Sequence, residues 1–397
     1  MSLDKRLKRT AVIGAAGKMG RGISLLLLQE IARCEAENLG AVGSGEYRLL
    51  LVDTNEKALF ELRKYLRQHL LRYAEKSINL LRSYYAKNSQ LVSNEEIIRA
   101  FVEGAQDCVF IETDPEKAKS YSLIFEAILE DVSEKTKLFR ALQGNQNAYF
   151  FSNTSAIPIA VLNKEGKLHN RIVGFHFYNP PPTQPLLEFV APENTEKPLC
   201  EMALELAKRL NKTVVHANDV AGFIGNGHFM RELLFACKMA QELSKEYPLD
   251  TAAFIVNALY KSYLLRPMGI FDLREFVGID VCAHIMEIMR KYLPDPEFKN
   301  PPLRQMSHFT QGKADEFLVE MDKIPSWKDL KENPNREKII QEHLDLLAQC
   351  TSRAGKLASQ CLEESRCISQ YLVQSGVANS LEDVHTVLKK GFQHLYV

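Results

Sequence analysis

Residues 11–20 read Ala11-Val12-Ile13-Gly14-Ala15-Ala16-Gly17-Lys18-Met19-Gly20. Three apolar residues suited to a buried strand run into three glycines spaced G-x-x-G-x-x-G. An apolar stretch with helical spacing follows over residues 19–32. Glycine is the residue a strand-to-helix turn requires where the backbone bends sharply and approaches a pyrophosphate. The helix start then turns its unbonded N–H groups and the positive end of its dipole toward that anion. The more frequent spacing is G-x-G-x-x-G, and a glycine pattern alone is weak evidence. The next strand strengthens it. Arg48-Leu49-Leu50-Leu51-Val52 ends at Asp53. A carboxylate there accepts hydrogen bonds from adenosine ribose hydroxyls and repels a 2′-phosphate, which favours NAD over NADP. Capping of the following helix is the competing role for Asp53. On this reading Gly14, Gly17, Lys18, Met19, Gly20 and Asp53 form the cofactor cradle.

Working outward, residues 122–125 and 149–151 are further short apolar strands, and residues 58–81 carry a long charged helix. Strand and helix alternate, which predicts an α/β Rossmann-type domain: a parallel sheet with helices on both faces. Residues 34–47 interrupt the alternation. They are polar, contain Gly40, Gly43 and Gly45, and read as a loop inserted between the first helix and the second strand. That insertion lengthens the gap from Gly20 to Asp53. Beyond Asn218 the periodicity is almost purely helical, over residues 229–245, 251–264, 339–347 and 352–375. Pro301-Pro302 and residues 325–336 punctuate it. The expected division is 1–217 for the dinucleotide-binding domain, 218–322 for an all-α domain, and 323–397 for a further helical segment.

Bulk properties narrow the function classes. A chain of 397 residues is long for one core. Fifty basic residues balance fifty acidic ones, so no overall field draws the protein to nucleic acid or to an anionic membrane. No apolar run reaches the length of a membrane span, and the basic first ten residues lack the apolar core of a signal peptide. The eight cysteines (Cys34, Cys108, Cys200, Cys237, Cys282, Cys350, Cys361, Cys367) show no C-x-x-C spacing. Reduced thiols in a cytoplasmic protein fit better than zinc ligation or a disulfide framework. No metal ligand set is expected.

The chemistry concentrates in residues 152–192. Ser152-Asn153-Thr154-Ser155 is followed by His176-Phe177-Tyr178-Asn179-Pro180 and then Leu187-Glu188-Phe189-Val190, with Gly222-Phe223-Ile224-Gly225-Asn226 further on. Oxidising a secondary alcohol needs a base for the hydroxyl proton while hydride leaves. Histidine suits that near neutral pH, and a carboxylate can orient it and stabilise its cation. His176 precedes an Asn-Pro turn at a strand end. Glu188 lies in an apolar run, where an unpaired carboxylate is costly. Ser155 and Asn226 are suited to hydrogen-bond substrate oxygens. A lone histidine is more often structural; the combination is what points to catalysis.

These motifs resemble the 3-hydroxyacyl-CoA dehydrogenase family. Residues 152–155 are similar to its S-N-T-S, 176–180 to H-F-F-N-P, 187–188 to the end of L-V-E, and 219–226 to D-x-P-G-F-x-x-N. Residues 266–280 (RPMGIFDLREFVGID) resemble a segment of the family's helical domain, and Glu126-Ala127 with Glu130 and Lys135 its E-A-x-x-E segment. The separations agree as well: 21 residues from Ser155 to His176, 12 from His176 to Glu188, and 50 from His176 to Asn226. The resemblance implies NAD-dependent oxidation of L-3-hydroxyacyl-CoA to 3-ketoacyl-CoA, or its reverse, as in fatty-acid β-oxidation. It implies His176 as general base, Glu188 as its orienting group, and Ser155 and Asn226 on the substrate's 3-oxygen. Glu126 and Asn179 then lie by the nicotinamide or substrate, and Asp53 by the ribose. The helical part is expected to be of the 6-phosphogluconate-dehydrogenase-like kind. A related dehydrogenase of a non-CoA hydroxy acid is the alternative, and a non-catalytic NAD-binding protein on this fold a third. Arg63, Lys64 and Arg67 are candidates for contact with CoA, against the reading of a solvated helix face.

The chain departs from the family pattern in several places. Its glycine loop is one residue longer, Gly227 stands where an arginine is usual, and residues 180–185 (PPPTQP) replace P-V-P-V-M-x. The tail motif is reduced to Gln311-Gly312-Lys313-Ala314-Asp315-Glu316-Phe317. Residues 361–392 resemble the second helical repeat of multifunctional fatty-acid oxidation enzymes. A tandem repeat in one chain can cover the apolar face that short members bury as dimers, so a monomer is expected, with a homodimer as the alternative.

Overall fold

The computed structural model describes residues 1–294, 298, 311–312, 314, 317–318 and 324–396. The apolar residues ahead of the glycines end strand β1 (Arg9–Ile13), which follows a short helix α1 (Leu3–Leu7). Next come α2 (Gly20–Leu39), β2 (Arg48–Val52), α3 (Glu56–Lys76), α4 (Ile78–Tyr84), α5 (Asn94–Asp107), β3 (Val109–Glu112) and β4 (Leu123–Glu126). Then follow α6 (Val132–Leu142), β5 (Tyr149–Ser152), α7 (Ile159–Gly166), β6 (Ile172–Phe177), β7 (Leu186–Val190), α8 (Lys197–Arg209) and β8 (Thr213–Ala217). The strands join one sheet in the order β3-β2-β1-β4-β5-β6-β7-β8. From β3 through β6 every pairing is parallel, giving the strand order of a dinucleotide-binding sheet. The order reverses between β1 and β4, so the glycine loop leaving β1 sits at the switch point where ligands bind in such sheets.

The expectation of a parallel sheet is corrected at β7, which runs antiparallel to β6. Residues 178–185 are too short a connection for a helical crossover, and a tight return joins only antiparallel strands. Both β6 and β7 are buried along their whole length. Phe175 and Phe177 lie in the same apolar core as Phe125 and Phe151. Phe125 stacks on Phe151 with ring centroids 4.6 Å apart, and Phe175 meets Phe177 edge-on at 5.2 Å. Burying each ring contributes roughly 1.5–3 kcal/mol. Because successive side chains alternate across a strand, this phenylalanine face forces the intervening His176 onto the other side of the sheet.

Two helix boundaries differ from expectation. Residues 34–39 are helical, not loop: α2 continues to Leu39 and ends on Gly40, whose φ is 65°. Cys34, Glu35 and Ala36 are buried. Polarity misled here because the Glu35 carboxylate is satisfied internally. It accepts from the Gly43 and Ser44 amides, both at 2.9 Å. Only residues 40–47 form the loop. The helix expected over 58–81 is broken at Ser77 into α3 and α4.

The chain divides into two compact units, Met1–Val215 and His216–Val397. The described part of the second is helical: α9 (Gly225–Leu243), α10 (Leu249–Ala258), α11 (Ile270–Val277), α12 (Ile279–Tyr292), α13 (Trp327–Lys331), α14 (Arg336–Gln349), α15 (Arg353–Gln374) and α16 (Leu381–Gly391). A single π-helical turn, Leu259–Tyr263, continues α10. The helix α15 packs along α9. A buried polar group ties the two: Arg266 forks onto Glu232 at 2.9 and 2.7 Å and also donates to the Ser365 hydroxyl, while His228 meets the Ser365 carbonyl at 3.1 Å. Gly227 lies within α9, and a Cβ there would come 3.2 Å from a Leu372 methyl of α15. Pro301-Pro302, Lys313, Asp315, Glu316 and the expected boundary at 322/323 lie outside the described residues. No helix among the described residues is long and apolar enough to cross a membrane.

Candidate active site

The glycine loop is sterically committed. Gly14 has φ 78°, and a Cβ on it would lie 2.5 Å from the Ala127 carbonyl oxygen. A Cβ on Gly20 would fall 1.9 Å from the Gly14 carbonyl oxygen. The loop is sewn to β2 through the Gly14 and Ala15 amides, which donate to the Val52 carbonyl at 2.8 and 3.0 Å. Asp53 takes part: one carboxylate oxygen accepts from the Ala16 amide at 3.0 Å and the other from the Asn55 amide at 3.1 Å. The cap of α3 is Asn55, which accepts from the Ala58 amide. Asp53 therefore stands beside the glycine loop at the end of β2. Met19 is the cap residue of α2, and Lys18 is exposed next to it. This cradle, open to nothing larger than backbone, fits the pyrophosphate of a dinucleotide.

His176 and Glu188 are direct partners in the antiparallel register of β6 and β7. The His176 Nδ1 is 2.9 Å from Glu188 Oε2. Glu188 is fully buried and His176 is 9% exposed, so the pair is shielded without being sealed off. An ionised carboxylate only accepts, so Nδ1 carries the proton and Nε2 presents a lone pair. The same Glu188 oxygen also accepts from the Tyr178 hydroxyl at 2.9 Å. Burial, and after it the neighbouring Glu188 charge, push the Tyr178 hydroxyl well above its ordinary range, which keeps it a donor.

Ser155 is held from below. Glu130 Oε1 accepts from the Ser155 amide at 2.7 Å, from its hydroxyl at 3.3 Å, and from the Thr154 hydroxyl at 2.6 Å. Lys135 lies 3.3 Å from Glu130 and also pairs with Glu126. Burial alone would raise the Glu130 carboxyl, but Lys135 and the donors from Thr154 and Ser155 outweigh it and hold it below the usual carboxylate range. Glu126 is buried, with its oxygens engaged by Lys135, the Ile128 amide at 2.8 Å and the Ser152 hydroxyl at 2.6 Å. Asn153 accepts from the Phe177 amide at 3.0 Å, linking the S-N-T-S turn to the strand of the base. Asn179 immediately precedes the cis bond to Pro180. Asn226 belongs to the second unit, at the second position of α9.

Residues 40–220 match the family model described as 3-hydroxyacyl-CoA dehydrogenase, NAD binding domain, and residues 222–315 its C-terminal domain. The human mitochondrial hydroxyacyl-coenzyme A dehydrogenase is 30% identical over 286 residues, 71% of this chain and 79% of that protein. This chain belongs to the 3-hydroxyacyl-CoA dehydrogenase family. A probable 3-hydroxybutyryl-CoA dehydrogenase of Bacillus subtilis is 27% identical over 74% of this chain and 89% of its own length. Among solved structures, M. tuberculosis FadB2 matches with a TM-score of 0.55 at 26% identity, over 76% of this chain and 93% of that one. The fold also follows a 3-hydroxybutyryl-CoA dehydrogenase of Escherichia coli along 98% of this chain and 90% of that one, with a TM-score of 0.64 at 18% identity. The family match begins after α2, yet β1 and its glycine loop occupy the middle of the same sheet. The chain is thus an NAD-binding oxidoreductase of this family.

Several contributors escaped the sequence reading. Tyr178 was visible only as part of a motif, and its bond to Glu188 follows from strand alternation: positions 176 and 178 share a face. Glu130 was legible only as part of the E-A-x-x-E segment, without its bonds to Ser155. Of the CoA candidates, Arg63 donates to the Val109 carbonyl at 2.6 Å and so serves the sheet, and Lys64 pairs with Glu61 at 2.8 Å on the surface. Arg67 lines a cavity of about 590 Å³ between α3 and α5.

Proposed function

We propose that this protein interconverts L-3-hydroxyacyl-CoA and 3-ketoacyl-CoA with NAD, using His176 as the general base. The observation that carries the reading is the buried His176–Glu188 pair, set by strand register with Nδ1 2.9 Å from the carboxylate. The cradle of Gly14, Gly17, Lys18, Met19 and Gly20, with Asp53 beside it, is the region that would hold NAD. Bound there, NAD supplies the hydride acceptor. Nε2 of His176 takes the proton of the 3-hydroxyl as the carbonyl forms, and Glu188 and the Tyr178 hydroxyl stabilise the resulting imidazolium and its carboxylate. Ser155, whose amide Glu130 holds, is assigned to the 3-oxygen, toward which its hydroxyl turns from Glu130, and Asn226 is assigned to the same oxygen. Asn179 and Glu126 are assigned to the neighbourhood of the nicotinamide, Glu126 through the Lys135–Glu130 chain. The test is NADH oxidation with acetoacetyl-CoA set against free acetoacetate. Turnover of the thioester alone supports the reading; turnover of the free acid at equal efficiency overturns the acyl-CoA assignment.

We assign residues 218–322 and 323–397 to tandem helical repeats, supported by the packing of α15 on α9 and the Glu232–Arg266–Ser365 tie between them. Such a chain is a monomer, which sedimentation equilibrium checks; a dimer at all accessible concentrations contradicts it. All eight cysteines are free thiols, which supports a reducing, cytoplasmic setting.

A further inference from the structure

Lys212 has no part in the chemistry above, yet it is a half-buried ammonium with no ion pair among the described residues. It lies between α8 and β8. Its own amide donates back to the Ala207 carbonyl at 2.9 Å, after a left-handed Asn211 with φ 56°. That turn aims the side chain at the connection between β6 and β7. Its Nζ donates to the Pro181 carbonyl at 2.5 Å and the Gln184 carbonyl at 2.7 Å, and it stands 5.9 Å from the centre of the Phe177 ring. Beside it, the Thr213 amide donates to the Pro185 carbonyl at 2.7 Å. The far side of the connection rests on α2: a Cβ on Gly22 would lie 2.8 Å from Pro181 Cδ and 2.9 Å from Pro182 Cδ. Drawing a cation partly out of water without a counter-charge is costly, and here two carbonyls and the Phe177 ring offset it. A methionine would fill the same path without that cost. The charge is therefore spent on the loop.

We propose that Lys212 is a positioning residue, whose ammonium clamps residues 180–185, the connection that leaves the base, against the first turn of α2 and so sets how tightly the site holds its acyl-CoA. This rests on the function proposed above. The His176–Glu188 pair is fixed by strand register and by Tyr178, which precedes the clamped residues, so the clamp governs what approaches the base more than the base itself. Burial lowers Lys212 to about 8, with no charged side chain contributing. The clamp consequently weakens as pH rises through that value, because a neutral amine is the poorer donor.

The experiment compares wild type, Lys212→Met and Lys212→Arg by hydrogen–deuterium exchange, and by NADH oxidation with acetoacetyl-CoA from neutral to alkaline pH. In Lys212→Met, the Thr183 and Gln184 amides, the two N–H groups among residues 180–185, exchange about tenfold faster with the rest of the sheet unchanged, and KM rises about tenfold while kcat stays within about twofold. Wild-type KM climbs above pH about 8, Lys212→Arg holds a low KM to higher pH, and Lys212→Met has a high, flat KM. Wild-type exchange and KM in Lys212→Met, or a loss confined to kcat, overturns the proposal. If Lys212→Met loosens the whole sheet, the alkaline arm with Lys212→Arg decides. If wild type does not turn over acetoacetyl-CoA, the functional reading fails on its own and the exchange data still decide the clamp.

Discussion

Glu188 Oε2 receives two hydrogen bonds, from the His176 ring and from the Tyr178 hydroxyl. A charged acceptor loses roughly 1.5–3 kcal/mol when one such donor is removed. Tyr178→Phe is therefore expected to lower kcat about tenfold with KM for NADH unchanged; kinetics equal to wild type would show that the hydroxyl does nothing for the base. The ordered motifs made His176, Glu188 and Ser155 legible in the sequence, since their chemistry and spacing agree. What they did not reveal was support. Glu130 and Lys135 act through bonds to Ser155 and to each other, and such contacts depend on how β4, α6 and the turn after β5 meet. Asp53 shows the same limit. Its place at the end of β2 was readable, but not that its oxygens already hold the Ala16 and Asn55 amides.

At the scale of elements, the alternation of strand and helix and the glycine turn followed from apolar runs and glycine spacing. The end of α2 did not, because a polar residue in a helix is read as exposed. Glu35 is instead a buried acceptor for the Gly43 and Ser44 amides and for the Cys108 thiol at 3.2 Å. Burial, with Glu35 next in effect, keeps that thiol protonated and a donor. Glu35→Ala strands these donors, and a loss of about 2 kcal/mol is expected in urea unfolding, with NAD affinity unaltered. An unchanged midpoint would mean that the loop over residues 40–47 is not held by Glu35. The hairpin of β6 and β7 was equally hidden, since fully buried strands show no alternation to reveal their direction.

For the whole molecule, acid is expected to act first on the helical unit. Burial lowers His228 from its ordinary 6.5, and burial likewise takes His394 well below it; Glu232, Arg266 and Arg231 surround His228, and Arg266, Glu232 and His228 surround His394. A base with a depressed folded value leaves the native state less protonated than the unfolded chain, so stability is full above about 6.5 and falls as pH drops below it. Glu232 is buried, which alone would raise it, but Arg266 and His228 bring it to about 2; its contribution is present above the usual 4.5 and lost as pH falls toward 2. Both signs predict acid unfolding. A His228→Gln/His394→Gln double variant should hold its melting temperature down to about pH 4.5, where Glu232 takes over; an onset unmoved from wild type would exclude the histidines. The reaction itself turns on His176. The direct measurement is NADH oxidation with acetoacetyl-CoA by wild type and His176→Gln, alongside NADH binding by both. A kcat at least about a hundredfold lower is expected in His176→Gln, with NADH binding retained. Equal turnover in the two proteins would contradict it.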